Sequence, residues 1–291
     1  MKIAYVCYNV LEKYTSASVP DEDSLLLDFL KKKGLDIHLE IWTNEHVNWS
    51  DYNLVLLKAP WDYHDHIIAF NNWLSKLKSL SIQLLNPYEI IKWNSDKHYL
   101  EDISDAGLSI IPTLFVEKNT ALQITSLFQQ LNSQKLIIKP CISASAKNTF
   151  ILTPENYALH QKNIDDLLKT ESYLIQPFIK EIETEGEWSF LFFDGKYSHS
   201  VLKKPRSGDF RVQHCHGGTI HTEATTALHI ATAKKYVDLF AKNCLYARVD
   251  GIMVNGEFLL MELELIEPFL FLSYHPESFE NYYTALKRLI H

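Results

Sequence analysis

Apolar and polar positions repeat with two periods along this chain, and the change between them sets the expected elements. Residues 2–8 (KIAYVCY) read as a first strand. Residues 21–33 (DEDSLLLDFLKKK) carry acids at the start, lysines at the end and Gly34 as a stop, which predicts a helix. Ile37, Leu39 and Ile41 alternate as a second strand, and NLVLL at 53–57 is a buried-type strand. A helix near 66–78 and a strand at 82–86 (IQLLN) follow. Strands alternating with helices predict a parallel sheet with crossovers. A helix near 95–106 ends at Gly107. A second α/β region then runs through LSIIPTLFV, a helix near 119–131 and KLIIKP.

From residue 171 the pattern changes. ESYLIQPFI reads as a strand, and EWSFLFF-DG-KYSHSVLKK as a hairpin about Asp194-Gly195. A long amphipathic helix is expected over roughly 222–243 and a terminal helix over about 276–289. Between them, YARVDGIMV-NG-EFLLMELELI predicts a second hairpin about Asn255-Gly256. With a two-residue turn there, Asp250 opposes Met261, and Glu262 and Glu264 face the other side. A three-residue loop with a G1 bulge changes the parity and gathers Arg248, Asp250, Glu262 and Glu264 on one face. The three-residue loop is the expectation, because it leaves Val249, Leu263 and Leu265 for the core. Three carboxylates on one face repel each other, and a hard divalent cation removes that repulsion. The rival reading is a solvated acidic face paired with surface lysines. The apolar flanks favour a cleft.

Composition narrows the field. The 291 residues suffice for two domains or one large α/β unit. The net charge of −8 argues against nucleic-acid binding, which usually needs a basic face. No apolar run approaches the ~20 residues of a membrane span. MKIAYVCYNV lacks the small-residue cleavage site of a signal peptide and reads better as a strand. Cys7, Cys141, Cys215 and Cys244 form no C-x-x-C pair, so a reduced, cytoplasmic protein is expected. With only 9 glycines there is no G-x-G-x-x-G after a strand and no P-loop, so any nucleotide phosphates must be held by lysines and a different backbone.

Lys139 ends the apolar strand IIKP, and Lys97 opens the helix in NSDKHYL. Each alone reads as a surface lysine. Beside an acidic metal face they make a phosphate site, to which Arg211 in GDFRVQHCHGG adds a third cation. His214, Cys215 and His216 match no common zinc spacing and read as a polar loop.

In this order the motifs KAPWDYH (58–64), NPYEIIKWNSDKHYL (86–100), IIKPCISASAKNT (137–149), LIQPFIKEIETEGEWSF (174–190), KKPRSGDFRVQHCHGG (203–218) and ARVDGIMVNGEFLLMELELIEP (247–268) resemble the ATP-grasp superfamily. Within it, they resemble the glutathione-synthetase-like branch, which includes the cycloserine-forming cyclo-ligase. The resemblance implies an α/β and α+β fold in three parts: an N-terminal α/β domain (1–94), a small central lid (95–170) and a C-terminal antiparallel-sheet domain with the metal site (171–291). It implies that Lys97 and Lys139 touch ATP phosphates, that Gln176, Pro177, Phe178 and Ile179 line the adenine, and that Glu187 bonds the ribose. Asp250, Glu262 and Glu264 would hold magnesium, two ions in the family pattern, with Mn²⁺ as an alternative. Arg211 would steady the transferring phosphoryl group. Glu264 stands where many relatives have asparagine, and the SASAKNT loop, with Ser143 and Ser145, lacks the glycines of relatives.

The implied chemistry is an ADP-forming carboxylate–amine ligation through an acyl phosphate. A catalytically silent ATP-binding regulatory module and a small-molecule kinase remain as alternatives. Candidate substrate contacts are Tyr8, Asn9, Trp61, Tyr63, His64, Lys203, Arg206 and Glu267, the last for the amine of an amino-acid substrate. For Trp61 and Tyr63, plain packing is the stronger reading. The expected partners are small molecules, not nucleic acid or membrane, with a homodimer left open.

Overall fold

The computed structural model describes residues 1–9, 21–144, 147–206 and 217–290. The N-terminal part contains β1 (Lys2–Cys7), α1 (Glu22–Lys32), β2 (Asp36–Ile41), β3 (Leu54–Ala59), α2 (Ile67–Ser79) and β4 (Gln83–Leu85). Its sheet is parallel, in the order β2-β1-β3-β4. The start of α1 follows from its sequence: the Asp21 side chain accepts from the Ser24 backbone N–H at 3.1 Å, and Glu22 and Asp23 lie at the positive end of the helix.

Two short helices, α3 (Tyr88–Asn94) and α4 (Tyr99–Asp105), lead into the central part. The expected helix over 95–106 is thus shorter, and α3 was not anticipated. Lys97 lies just before α4, not inside it. The central sheet contains β5 (Leu114–Val116), β6 (Leu136–Pro140), β7 (Phe150–Leu152) and β8 (Tyr173–Pro177), with α5 (Ile124–Gln130) and α6 (Tyr157–Leu167) packed on it. Its order is β5-β8-β6-β7, all antiparallel. β8, read from sequence with the C-terminal part, pairs in the central sheet, with partners more than thirty residues upstream.

The C-terminal part contains α7 (Glu181–Thr184), β9 (Glu187–Phe193), β10 (Lys196–Lys204), β11 (Thr219–His221), α8 (Ala227–Phe240), β12 (Tyr246–Val254), β13 (Glu257–Glu264) and α9 (Ser278–Leu289). Its antiparallel sheet has the order β11-β10-β9-β12-β13. One core joins this sheet to the N-terminal one: Ile3, Tyr5 and Leu56 pack in the same cluster as Phe193, Tyr246 and Tyr282. α4 and α8 cover apolar side chains of β9, β12 and β13, among them Phe192, Val249 and Leu263.

β13 is an edge strand, and an edge must be covered or it pairs elsewhere. Here three side chains from the 86–99 segment cover it. The Tyr99 hydroxyl accepts from Leu263 N–H at 3.0 Å. The Asn94 amide donates to the Leu263 carbonyl at 2.7 Å and accepts from Leu265 N–H at 3.0 Å. The Asn86 amide donates to the carbonyls of Leu265 and Tyr246, each at 2.8 Å. Buried backbone groups require such partners, which accounts for two asparagines in an otherwise apolar setting.

Candidate functional site

The hairpin of β12 and β13 turns on two residues, Asn255 (φ 51°) and Gly256 (φ 85°), with Val254 opposite Glu257. The expected three-residue loop is absent. The parity change comes instead from a bulge farther along: Gly251 opposes Leu260, whereas Asp250 opposes Glu262, so Met261 is the extra residue. A Cβ at Gly251 would lie 2.2 Å from Phe258 Cζ and 2.6 Å from the Leu259 carbonyl oxygen, so only glycine fits beside the bulge. The outcome is the expected face reached by another device, with Asp250 opposite Glu262 and Arg248 opposite Glu264.

β9 and β10 extend this face. Ser189 opposes Asp250, and Lys203 opposes Glu187. Asp250 accepts from Ser189 Oγ at 2.7 Å, Arg248 Nε at 3.0 Å, Arg248 Nη2 at 2.8 Å and Lys203 Nζ at 3.1 Å. Lys203 also pairs with Glu187, and Arg248 with Glu264. The other end of Arg248 donates to the Phe269 carbonyl at 2.9 Å, and its guanidinium lies 5.6 Å from the Phe271 ring centroid. Lys139 reaches from the central sheet to Glu262 at 2.8 Å. Lys97, buried just before α4, donates to the Ser143 carbonyl at 2.6 Å. The face therefore meets the strand-end lysine of the central sheet directly.

The electrostatics follow from burial and partners. Burial alone would raise the Asp250 carboxyl, but Arg248 and Lys203 hold it well below the usual range. Burial also opposes ionisation of Glu262, yet Lys139 and Lys97 bring it down to about 2. Glu264 goes the other way, pushed by burial up to about 7 with Asp250 adding to the push and Arg248 opposing it. Burial raises Glu187 as well, against the pull of Lys203. Glu267 is pushed by burial, and then by Glu264, up to about 8.

Hard oxygen donors on one sheet face suit magnesium. The Asp250 side chain is only 5% exposed, but those of Glu262 and Glu264 are 30% and 26% exposed, so two of the three open onto the cleft. Asp250, Glu262 and Glu264 are the residues that would hold the ion, in exchange for part of their present pairing with Arg248, Lys203 and Lys139.

The remaining candidates divide. Gln176 and Pro177 end β8 beside the start of β6, where Gln176 Nε2 donates to Thr113 Oγ1 at 3.0 Å. The Phe178 N–H donates to the Lys135 carbonyl at 2.8 Å, the Lys135 ammonium sits 3.4 Å from the Phe178 ring centroid, and Ile179 packs nearby. Glu187, expected by resemblance at the ribose, is buried and paired with Lys203 beside Asp250. Lys203, taken as a substrate contact, belongs to the same network. Tyr8 stacks on Trp61 at 5.4 Å, and the Trp61 indole donates to the Glu267 carbonyl at 3.0 Å. Half-buried Asn9 follows Tyr8. Tyr63 packs on Phe70 at 5.1 Å, and its phenol is raised by burial and then by Glu267. His64 is buried, with Nδ1 3.3 Å from Asp65 and, among the described residues, no partner for Nε2. Ser143 Oγ donates to the Pro140 carbonyl at 3.0 Å, and Arg206 is exposed. Arg211, Ser145, His214, Cys215 and His216 lie outside the described residues.

Sequence reasoning placed Arg248 on this face but gave it no role; the structure pairs it with both Asp250 and Glu264. It also missed Ser189, which carries no local signal. A further cluster, Asp96, His98 and Cys141, flanks Lys97, but its imidazole is tied to Asp96 at 2.6 Å and Glu117 at 3.0 Å and serves to fix the Lys97 segment.

Comparison with known proteins agrees with this architecture. Residues 3–86 match the family model of the N-terminal domain of D-cycloserine synthetase DcsG. The cycloserine biosynthesis protein DcsG of Streptomyces lavendulae is 24% identical over 276 residues, 90% of this chain and 91% of that protein. The crystal structure of D-cycloserine synthetase DcsG superposes with a TM-score of 0.85 at 21% identity, covering 99% of both chains. The D-alanine–D-alanine ligase of Bacillus anthracis, complexed with ATP, gives 0.71 at 16% identity over 100% of this chain and 96% of that one. The ATP-grasp ligase PsnB, complexed with a minimal precursor, Mg and ADP, gives 0.64 at 12% identity over 99% and 98%. The fold is the ATP-grasp fold.

Proposed function

From the premise of an ATP-grasp fold in a chain homologous to D-cycloserine synthetase, we propose that this protein is an ATP-dependent carboxylate–amine ligase acting on an amino-acid-like small molecule. The observation that carries the reading is the 2.8 Å ion pair of Lys139 with Glu262, which sets a central-sheet lysine against the carboxylate face of the C-terminal sheet. Between those sheets a triphosphate meets ammonium groups on one side and metal-holding acids on the other.

In the first step a substrate carboxylate oxygen bonds to the γ-phosphorus of ATP, the bond to the bridging oxygen breaks, and ADP leaves with the electron pair. Two anions must approach, so cations dominate catalysis. Lys97 and Lys139 stand as phosphate-binding ammonium groups, and Arg211 completes the set by resemblance. Magnesium held by Asp250, Glu262 and Glu264 supplies further charge neutralisation when bound. Arg248 keeps Asp250 ionised, opposes the burial that raises Glu264, and aligns both. In the second step an amine nitrogen attacks the acyl carbon and phosphate leaves. The protein contributes no nucleophile of its own, and closure of the central part over the cleft keeps water from the acyl phosphate. Buried free Cys7, Cys141 and Cys244 fit a reducing, cytoplasmic setting.

The test is ADP release with hydroxylamine trapping across a panel of amino acids. Trapped hydroxamate supports the ligase. Tight ATP binding without turnover selects a regulatory module instead, and a stable phosphorylated product selects a kinase.

A further inference from the structure

A second set of metal-competent side chains lies outside the carboxylate face. Asp96, His98 and Cys141 offer one ligand atom each, and these three atoms lie within 4.8 Å of one another. Cys141 is a free, buried thiol. The donor chemistry differs from that of Asp250, Glu262 and Glu264. A thiol and an imidazole beside one carboxylate suit a borderline cation such as Zn²⁺, whereas magnesium takes oxygen donors.

The backbone that carries these ligands is tied together. Asp96 Oδ1 accepts from the His98 N–H at 3.0 Å. Lys97 N–H, between them, donates to the Cys141 carbonyl at 2.9 Å, and Cys141 N–H donates to the Ser172 carbonyl at 2.9 Å. The 96–98 turn, the end of β6 and the residue before β8 thus form one frame. The His98 ring also stacks on Phe115, with centroids 4.5 Å apart and planes at 25°.

The groups behind the ligands are in place as well. His98 Nε2 lies 3.0 Å from Glu117 Oε1, and an ionised carboxylate only accepts, so Nε2 donates. Glu117 Oε2 in turn accepts from Ser172 Oγ at 2.9 Å, and Ser172 Oγ accepts from Lys118 N–H at 3.1 Å. A carboxylate on the far nitrogen is the arrangement that fixes the ring of a metal-ligating histidine. It leaves Nδ1, 2.6 Å from Asp96 Oδ1, as the ligating nitrogen.

We propose that Asp96, His98 and Cys141 form a binding site for a cation of the Zn²⁺ class, with Glu117 as the positioning residue. Tetrahedral bonds of about 2.0–2.3 Å set ligand atoms about 3.3–3.6 Å apart, so the ion widens the Asp96–Nδ1 contact and draws in the thiol. The Nδ1 and thiol protons pass to solvent as the metal bonds form. The Asp96 and His98 side chains are 40% and 29% exposed, which gives the ion a way in and leaves the fourth position to water. The ligands flank Lys97 and follow Lys139 by two residues, so a bound ion stiffens the frame that presents both ammonium groups. The site stands whether or not the ligase reading does.

The test is titration of the reduced, chelator-treated full chain with Co²⁺, an absorbing substitute for Zn²⁺, in excess Mg²⁺ to fill oxygen-only sites. A near-ultraviolet thiolate-to-cobalt band is expected, with intense visible absorption, saturating at one equivalent and abolished by Zn²⁺. C141S should lose the near-ultraviolet band, and H98A should weaken binding at least about 100-fold. E117A should weaken it about 10- to 100-fold while the saturated spectrum keeps its shape. C215S should titrate like the native protein, which separates this site from the His214-Cys215-His216 sequence. Circular dichroism checks the fold of each variant, and if C141S does not fold, H98A and E117A carry the test. Absence of the near-ultraviolet band, its persistence in C141S, its loss in C215S, or native affinity in both H98A and E117A would each overturn the proposal.

Discussion

At the scale of single residues, the cleft sorts its acids by their partners. Asp250 and Glu262 are kept ionised by adjacent cations, whereas Glu264 is raised by burial and by Asp250, and Glu267 by burial and by Glu264. The raised groups have a stability consequence. Glu267 moves from 4.5 when unfolded to about 8 when folded, so between those values the folded state retains a proton that the unfolded state has lost. Stability in the absence of metal then falls as pH rises through this window. Replacing Glu267 with glutamine removes that contribution. Thermal unfolding without Mg²⁺ is expected to show a smaller loss of stability between pH 5 and pH 8.5 in E267Q than in the native protein, and parallel losses would contradict the assignment. Glu262 gives the cleaner functional variant, because its side chain is 30% exposed and Glu262→Gln leaves only the partly exposed Lys139 without its carboxylate. ADP release is expected to fall at least about 100-fold while circular dichroism stays native. Asp250→Asn should abolish turnover as well. It also weakens the compensation of Arg248 and Lys203, so a loss of folding stability is expected beside it.

At the scale of elements, the hairpin of β12 and β13 shows which features were legible in sequence. The alternation of Glu262 and Glu264 with Leu263 and Leu265 announced a two-faced strand, and the need to gather like-facing polar residues gave the correct face. The bulge at Met261 was not legible, because it is selected by the close approach of Phe258 and Leu259 to Gly251 across the pair. Likewise Lys139 could be read from its apolar strand and Lys97 from the start of a helix, but the membership of β8 in the central sheet depends on distant pairing. α3 escaped notice because the asparagines bounding it look like loop residues until their buried work on the β13 edge is seen. Two variants test this level. Gly251→Ala places a methyl against Phe258 and a backbone carbonyl, and should cost about 2 kcal/mol or more in denaturant unfolding along with most ligase activity. Asn94→Ala strands a donor and an acceptor of the edge strand and should cost about 1–3 kcal/mol. Native-like unfolding midpoints would show that neither the bulge nor the edge cover matters.

At the scale of the whole molecule, the arrangement of three sheets turns separate charges into one site. The N-terminal sheet supplies Lys58 and the aromatic wall, the central sheet supplies Lys139, and the C-terminal sheet supplies the acids and Arg248. The Lys58–Glu22–Asp23 cluster ties the first of these to the 268–272 segment of the last. Removing the cation alone, as in Lys58→Met, leaves the buried Glu22 and the partly buried Asp23 without a counter-charge and should destabilise the protein by about 3–5 kcal/mol. The central claim is that this convergence activates a carboxylate as an acyl phosphate. Its most direct test is to supply the turned-over amino acid with oxygen-18 in its carboxylate and to analyse the released phosphate by mass spectrometry. Transfer of one labelled oxygen to each phosphate is the predicted result. Unlabelled phosphate accompanying amide formation would contradict it.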